Sequence, residues 1–205
     1  MYRLLTVEEI HSALHNKFAE KALKYPEHYA ELVPKASSDA SVANTSTQIA
    51  KLIGSALPQS FVEGMREWNL GRLELAGIGF GRTGDFAVQL EKYNRSAPGT
   101  QWWEDREQDD RPQDLIMIGQ GDPHVVLLEQ STGRILAYVV DEGSPSCAPV
   151  APNLSIFLRG LGSVSLHSHV QGEETEALTD DLVAQIGSDV DRAFWNELAI
   201  IHADA

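Results

Sequence analysis

The chain holds a single cysteine, Cys147, among 205 residues. One thiol excludes an internal disulfide framework and a zinc site built from several cysteines. Basic residues are scarce as well: 16 Lys and Arg stand against 30 Asp and Glu, a formal charge of −14. Nucleic-acid binding needs a basic stripe to neutralise phosphates, so this balance argues against it. An anionic membrane surface would repel the chain too. Long apolar runs are missing. The opening run from Met1 meets Glu8 and Glu9 before it reaches the ~7–15 apolar residues of a secretory signal. No stretch approaches the ~18 continuous apolar residues of a membrane span. The expected location is therefore the cytoplasm. Neither a Gly-x-Ser-x-Gly elbow nor a His-Glu-x-x-His helix occurs, which removes the sequence marks of an α/β-hydrolase and a zinc protease.

What is present is a foldable, unevenly charged chain. Apolar residues make up 42%, too many for compositional disorder, and the length suits one domain with extensions. The net charge is −1 over residues 1–45, −5 over 46–160 and −8 over 161–205. No internal repeat is found. Thr6 and Glu9 are spaced as a capping box, and Val7, Ile10, Leu14 and Phe18 follow at helical spacing. Residues 36–47 are small and polar and read as a linker or long loop. Ile49, Leu52 and Ile53 begin a second helical pattern. Pro58 opens a third, with Phe61, Val62, Met65 and Trp68 on one face.

The middle of the chain turns to strands. Leu73 to Ile78 reads as one short strand, and Phe86 to Tyr93 as a short helix. Leu115–Ile118, His124–Glu129 and Arg134–Val140 read as strands, the last two joined by the turn Gln130-Ser131-Thr132-Gly133. Pro145 to Pro152 reads as a loop. Asn153 caps a helix to Leu161, and two tail helices are expected from Leu178 to Ile186 and from Ser188 onward. Helices and strands segregate, so the expected class is α+β, an antiparallel sheet flanked by helices with helical N- and C-terminal extensions.

Four features in order resemble the SUKH superfamily, which includes the Smi/Knr-type cell-wall-synthesis regulators and many bacterial immunity proteins. They are a helix with Leu57-Pro58 and the segment Phe61 to Asn69; Gly79-Phe80-Gly81 with a short helix after it; Asp114 to Asp122, a strand ending in a Gly/Asp turn; and the hairpin Val125 to Ile135 with the closing helix Asn153 to Leu161. Asn69-Leu70 stands where the family usually has Asn-Gly, and Val139-Val140-Asp141-Glu142 lacks the family's aromatic before the loop. The resemblance covers residues 46–161, leaving 1–45 as an N-terminal helical extension with a linker and 162–205 as an acidic helical extension. It implies a protein-binding module with no shared catalytic site; physically, the second face of such an antiparallel sheet can stay open to solvent or a partner.

Several residues carry competing readings. Gly79-x-Gly81-x-x-Gly84 matches the dinucleotide fingerprint as a bare string, but its acidic partners Glu104 and Asp105 do not end an apolar strand. A turn with backbone freedom is the expected role, and no cofactor is expected. His167 and His169 beside Glu173 and Glu174, and His11 with His15, lack a third metal ligand. No metal is expected at either. Cys147 has no basic neighbour to activate it. Trp102-Trp103, followed by an acidic run to Asp110, has two readings: one Trp filling the core, or an aromatic anchor inside an acidic rim suited to a basic protein. Together with what the resemblance implies, the expected function is a non-enzymatic immunity protein that occludes a toxin, with a basic toxin as the expected kind of partner. The partner-binding candidates are Trp103, Glu104, Asp105, Glu107, Asp109, Asp110, Asp141 and Glu142. A regulatory scaffold is the alternative, and an enzyme of unknown class the second alternative.

Overall fold

The computed structural model describes residues 1–81, 84–95, 102, 112–139, 147–167 and 169–203. Among them are eight α-helices and one six-stranded sheet, an α+β architecture. Helix α1 (Val7–Lys24) starts on the capping box expected of Thr6 and Glu9. Helix α2 (Pro26–Tyr29) is one turn, with Pro26 at its first position. Helix α3 (Asp39–Ile53) is capped by Ser38 and ends at Gly54 with φ 77°, the left-handed stop that glycine adopts without strain. The stretch expected as a linker thus forms the first turns of α3. Its small polar residues look like a loop, but the Ser38 cap and the buried anchors Val42 and Ile49 hold it helical.

Helix α4 (Gln59–Glu67) follows Pro58 and buries Phe61, Gly64 and Met65. The expected single strand at 73–78 is instead a hairpin, β1 (Leu73–Leu75) and β2 (Ile78–Gly81). Its turn residues Ala76 and Gly77 have φ 46° and 69°. Two positive φ values define the tight turn whose twist matches a hairpin. Helix α5 (Phe86–Asn94) is capped by Asp85. Strands β3 (Leu115–Gln120), β4 (His124–Glu129) and β5 (Ile135–Val139) follow. The expected Pro-rich loop contains a sixth strand, β6 (Ala148–Ala151), paired with β5 at the sheet edge. An edge strand tolerates Pro149 because one side of its ladder needs no donor. The sheet order is β1 to β6 in sequence, antiparallel throughout.

Helix α6 (Leu154–Leu166), capped by Asn153, lies along one sheet face. Helix α7 (Glu173–Ile186) and helix α8 (Arg192–Ala203) complete the chain, α8 starting four residues later than expected. Ile116, Ile118, Val126, Leu128 and Ile135 of that sheet face join Phe61, Phe157, Leu158 and Trp195 in one core. Ile10 and Leu14 of α1 and Leu178 and Leu182 of α7 belong to the same core, so both flanks pack with the sheet. The N-terminal backbone is clipped down as well. Leu4 N–H donates to Gln185 Oε1 at 2.9 Å, and Leu5 N–H to Ser163 Oγ at 3.0 Å. Trp195 Nε1 donates to the Val150 carbonyl at 3.0 Å, fixing α8 to β6.

Candidate functional site

The opposite sheet face divides into two parts. Over β3, β4 and β5 it is apolar and buried. Met117, Val125, Leu127, Leu136 and Tyr138 form a second cluster, with Tyr93, Trp102 and Cys147 packed against it. The Tyr138 hydroxyl donates to the Trp102 carbonyl at 2.6 Å. This part is not the open face that an antiparallel sheet can leave to solvent or a partner. Its residues alternate with those of the main core, so burying both sets requires cover on both sides.

Toward β1 and β2 the same face opens into a groove of about 750 Å³. Gly79 and Gln120 form its floor, Gln89 and Tyr93 of α5 one wall, and Glu74 and Asp122 its charged groups. Each position has a local cause. Alternation along β1 sends Leu73 and Leu75 to the core and leaves Glu74 half-buried on the groove side. Alternation along β2 does the same with Ile78 and Phe80 against Gly79. Asp122 sits in the β3–β4 turn, closed by a bond from Gly121 N–H to the His124 carbonyl at 2.8 Å. Gly121 has no alternative there, because a Cβ would stand 2.5 Å from the Gly77 carbonyl oxygen. Gly79 differs: its nearest neighbour to a Cβ would be the Gln120 carbonyl oxygen at 3.8 Å. Packing does not require a glycine at 79, and its bareness keeps the floor clear.

Among the described residues β2 and β3 pair only at Gly79 and Gln120, and the groove lies on the face where they diverge. Farther along β3, a side chain replaces the missing strand. Asn94 Oδ1 accepts from Met117 N–H, and Asn94 Nδ2 donates to the Met117 carbonyl, both at 2.9 Å. The amide thus imitates a strand neighbour and fixes α5 as the groove wall.

The groove is anionic in character. Among the described residues, no Lys or Arg lines it. Among the described residues, neither Glu74 nor Asp122 has an ion-pair partner, whereas Glu9, Glu91, Asp180 and Asp189 are each paired with an arginine. Beneath the turn, His124 is buried at 1% exposure and lies edge-on to Phe194, centroids 5.0 Å apart. Neither of its ring nitrogens is hydrogen-bonded, although Nε2 lies 3.3 Å from Glu197 Oε2. Burial pushes the His124 pKa down, while Glu197 and Asp122 pull it back up.

All eight expected partner-binding residues, Trp103, Glu104, Asp105, Glu107, Asp109, Asp110, Asp141 and Glu142, lie outside the described residues. The other singled-out residues are placed. Gly79 and Gly81 lie within β2, which pairs with β3 antiparallel, not in the parallel unit a dinucleotide fingerprint needs. His11 packs edge-on to Trp68, centroids 4.5 Å apart, while His15 is exposed. His167 Nδ1 lies 2.7 Å from the Ser163 carbonyl at the end of α6, and His169 is exposed. Among the described residues no group of three or more His, Cys, Asp or Glu could hold a metal, and no helix is long and apolar enough to cross a membrane. The groove had no linear signal, since its residues come from β1, β2, α5 and the β3–β4 turn. Only the alternation of Glu74 and Gly79 with apolar neighbours pointed toward it.

Compared with protein-family models, curated proteins and solved structures, the chain matches none.

Proposed function

We propose that the chain is a non-enzymatic protein-binding module, a cytoplasmic immunity protein that neutralises a toxin by occlusion. The observation that carries this reading is the groove: an open, anionic recess on a sheet face that is otherwise buried, with both carboxylates unpaired among the described residues. Unpaired carboxylates around an open recess suit steering and holding of a basic protein surface. The order of elements supports the SUKH resemblance: α3, Leu57-Pro58, α4, a Gly-containing strand, α5, a strand with a Gly/Asp turn, a hairpin and α6. The described groove lining offers carboxylates, amides, a phenol and the largely buried imidazole of His124, with no serine, threonine or cysteine among these residues, a set better suited to hydrogen-bonding a polypeptide than to nucleophilic catalysis.

Capture from the native host followed by a growth assay tests the reading. Immobilised chain is expected to retain one dominant basic protein that arrests growth when expressed alone and is silenced by co-expression of the chain. Several housekeeping partners with no toxicity would replace immunity with the regulatory-scaffold reading. Retention of no protein would sink both.

A further inference from the structure

We propose that the groove lined by Glu74 and Asp122 receives an extended, arginine- or lysine-bearing segment of the partner protein, its cationic groups facing these carboxylates. The inference rests on the protein-binding reading and adds the chemistry of the occupant and the place where it docks.

Size comes first. A recess of about 750 Å³ falls within the ~300–1,000 Å³ of sites that enclose a ligand. Charge selects the class of occupant. Glu74 is half-buried, Asp122 is exposed at the rim, and among the described residues no Lys or Arg lines the recess. An anionic ligand such as a nucleotide phosphate would be repelled from both ends. A bound metal is disfavoured because these two carboxylates belong to no cluster of three ligating residues among those described. A guanidinium or ammonium group compensates the carboxylates directly, and a carboxylate half out of water attracts it more strongly than one at the surface.

Polar groups that share the lining with the two carboxylates favour a polypeptide over a small amine. Gln89 and Gln120 offer amide donors and acceptors along the recess, the kind of partners an extended backbone needs. Gly79 supplies the independent observation. Its backbone is strand-paired and its Cβ position is open, with 3.8 Å to the nearest atom. The fold gains nothing there from the absence of a side chain, whereas an occupant lying across the floor gains the space. Gly121 is the internal contrast, since its glycine is explained by the Gly77 carbonyl at 2.5 Å.

The test uses the full chain and a fluorescein-labelled hexa-arginine peptide, followed by fluorescence anisotropy. The double variant Glu74→Gln/Asp122→Asn keeps side-chain shape and removes two charges. A control, Glu173→Gln/Glu174→Gln at the exposed start of α7, removes the same charge elsewhere. Binding is expected to weaken about tenfold or more in the groove variant and less than about twofold in the control. Gly79→Trp fills the recess and is expected to abolish binding. Its thermal midpoint is read in parallel, and the isosteric groove variant carries the test if Gly79→Trp does not fold. No binding of the peptide, or equal weakening by groove and control variants, overturns the proposal. A host partner that the groove variant still captures fully also overturns it, and leaves the protein-binding reading standing. Peptide binding at the groove without any host partner does the reverse.

Discussion

Replacing Asn94 by alanine is expected to loosen the groove wall and cost the fold about 2–4 kcal/mol. The side chain makes three hydrogen bonds of 2.9 Å, two to Met117 and one to the Leu90 carbonyl. The Leu90 carbonyl lies in α5, whose helical ladder can satisfy it, so its loss matters least. Among the described residues, Met117 N–H and C=O have no strand on that side, because β2 pairs with β3 at Gly79 and Gln120 alone. Each group left unsatisfied costs ~1–3 kcal/mol, and Asn94 is only 8% exposed, so water enters poorly. Against a total stability of ~5–15 kcal/mol, the loss is large. With a urea slope of about 2 kcal/mol/M, the unfolding midpoint falls by roughly 1–2 M. Asn94→Asp sharpens the test. A carboxylate there accepts from Met117 N–H but faces the Met117 carbonyl without a proton to donate. Burial raises its folded pKa above the unfolded value of ~3.9. Stability relative to wild type is then highest below the unfolded pKa and falls as pH rises through the folded one. A loss below about 1 kcal/mol for Asn94→Ala, or an Asp variant with no such pH trend, would refute the strand-substitute role.

Further predictions concern the core, the termini and the partner. His124 has its pKa lowered by burial, so its contribution is complete above the unfolded value of ~6.5 and is lost as pH falls through the folded one. Wild type should therefore lose stability on acidification that His124→Leu retains, and superimposable pH profiles would contradict this. Gly160→Ala places a Cβ 2.4 Å from the Trp195 ring and should destabilise by ~1–3 kcal/mol through overpacking; an unchanged chemical-denaturation midpoint would count against the packing of α8. Thr6→Ala removes the α1 cap and should cost ~0.5–2 kcal/mol. The capping partner Glu9 is held at a pKa of about 2 by Arg3 and the Thr6 backbone, so this support is present above the ordinary carboxylate range and disappears as pH falls through about 2. Neutralising the acidic run 104–110 should slow partner association and flatten its salt dependence in stopped-flow mixing, and unchanged on-rates would remove that run from the interface.

Legibility in the sequence followed locality. The α1 capping box needs only Thr6 and Glu9, and it forms as read. The β4–β5 hairpin needs two apolar runs and a Gly-bearing turn, and its register follows directly. The misses share a physical reason: the deciding partner is remote or the residue is atypical for its role. Ala76 at φ 46° is an unusual turn residue, so β1 and β2 read as one strand. Pro149 reads as loop until β5 stands beside it at the sheet edge. Residues 39–47 carry little hydrophobic periodicity, and their helix depends on a cap and on packing. The groove was the least legible of all. Glu74, Gly79, Gln89 and Asp122 meet only after β2 and β3 diverge, and the Asn94 bridge that holds them apart joins residues 23 apart in sequence.

Hydrogen exchange of the chain with and without its captured partner tests the proposed protein-binding role of the groove most directly. The expected footprint is slowed exchange over β1 and β2, along α5 and at the β3–β4 turn, with α1 and α7 unchanged. Protection confined to α1, α7 or α8, or exchange identical in the presence of the partner, would contradict it.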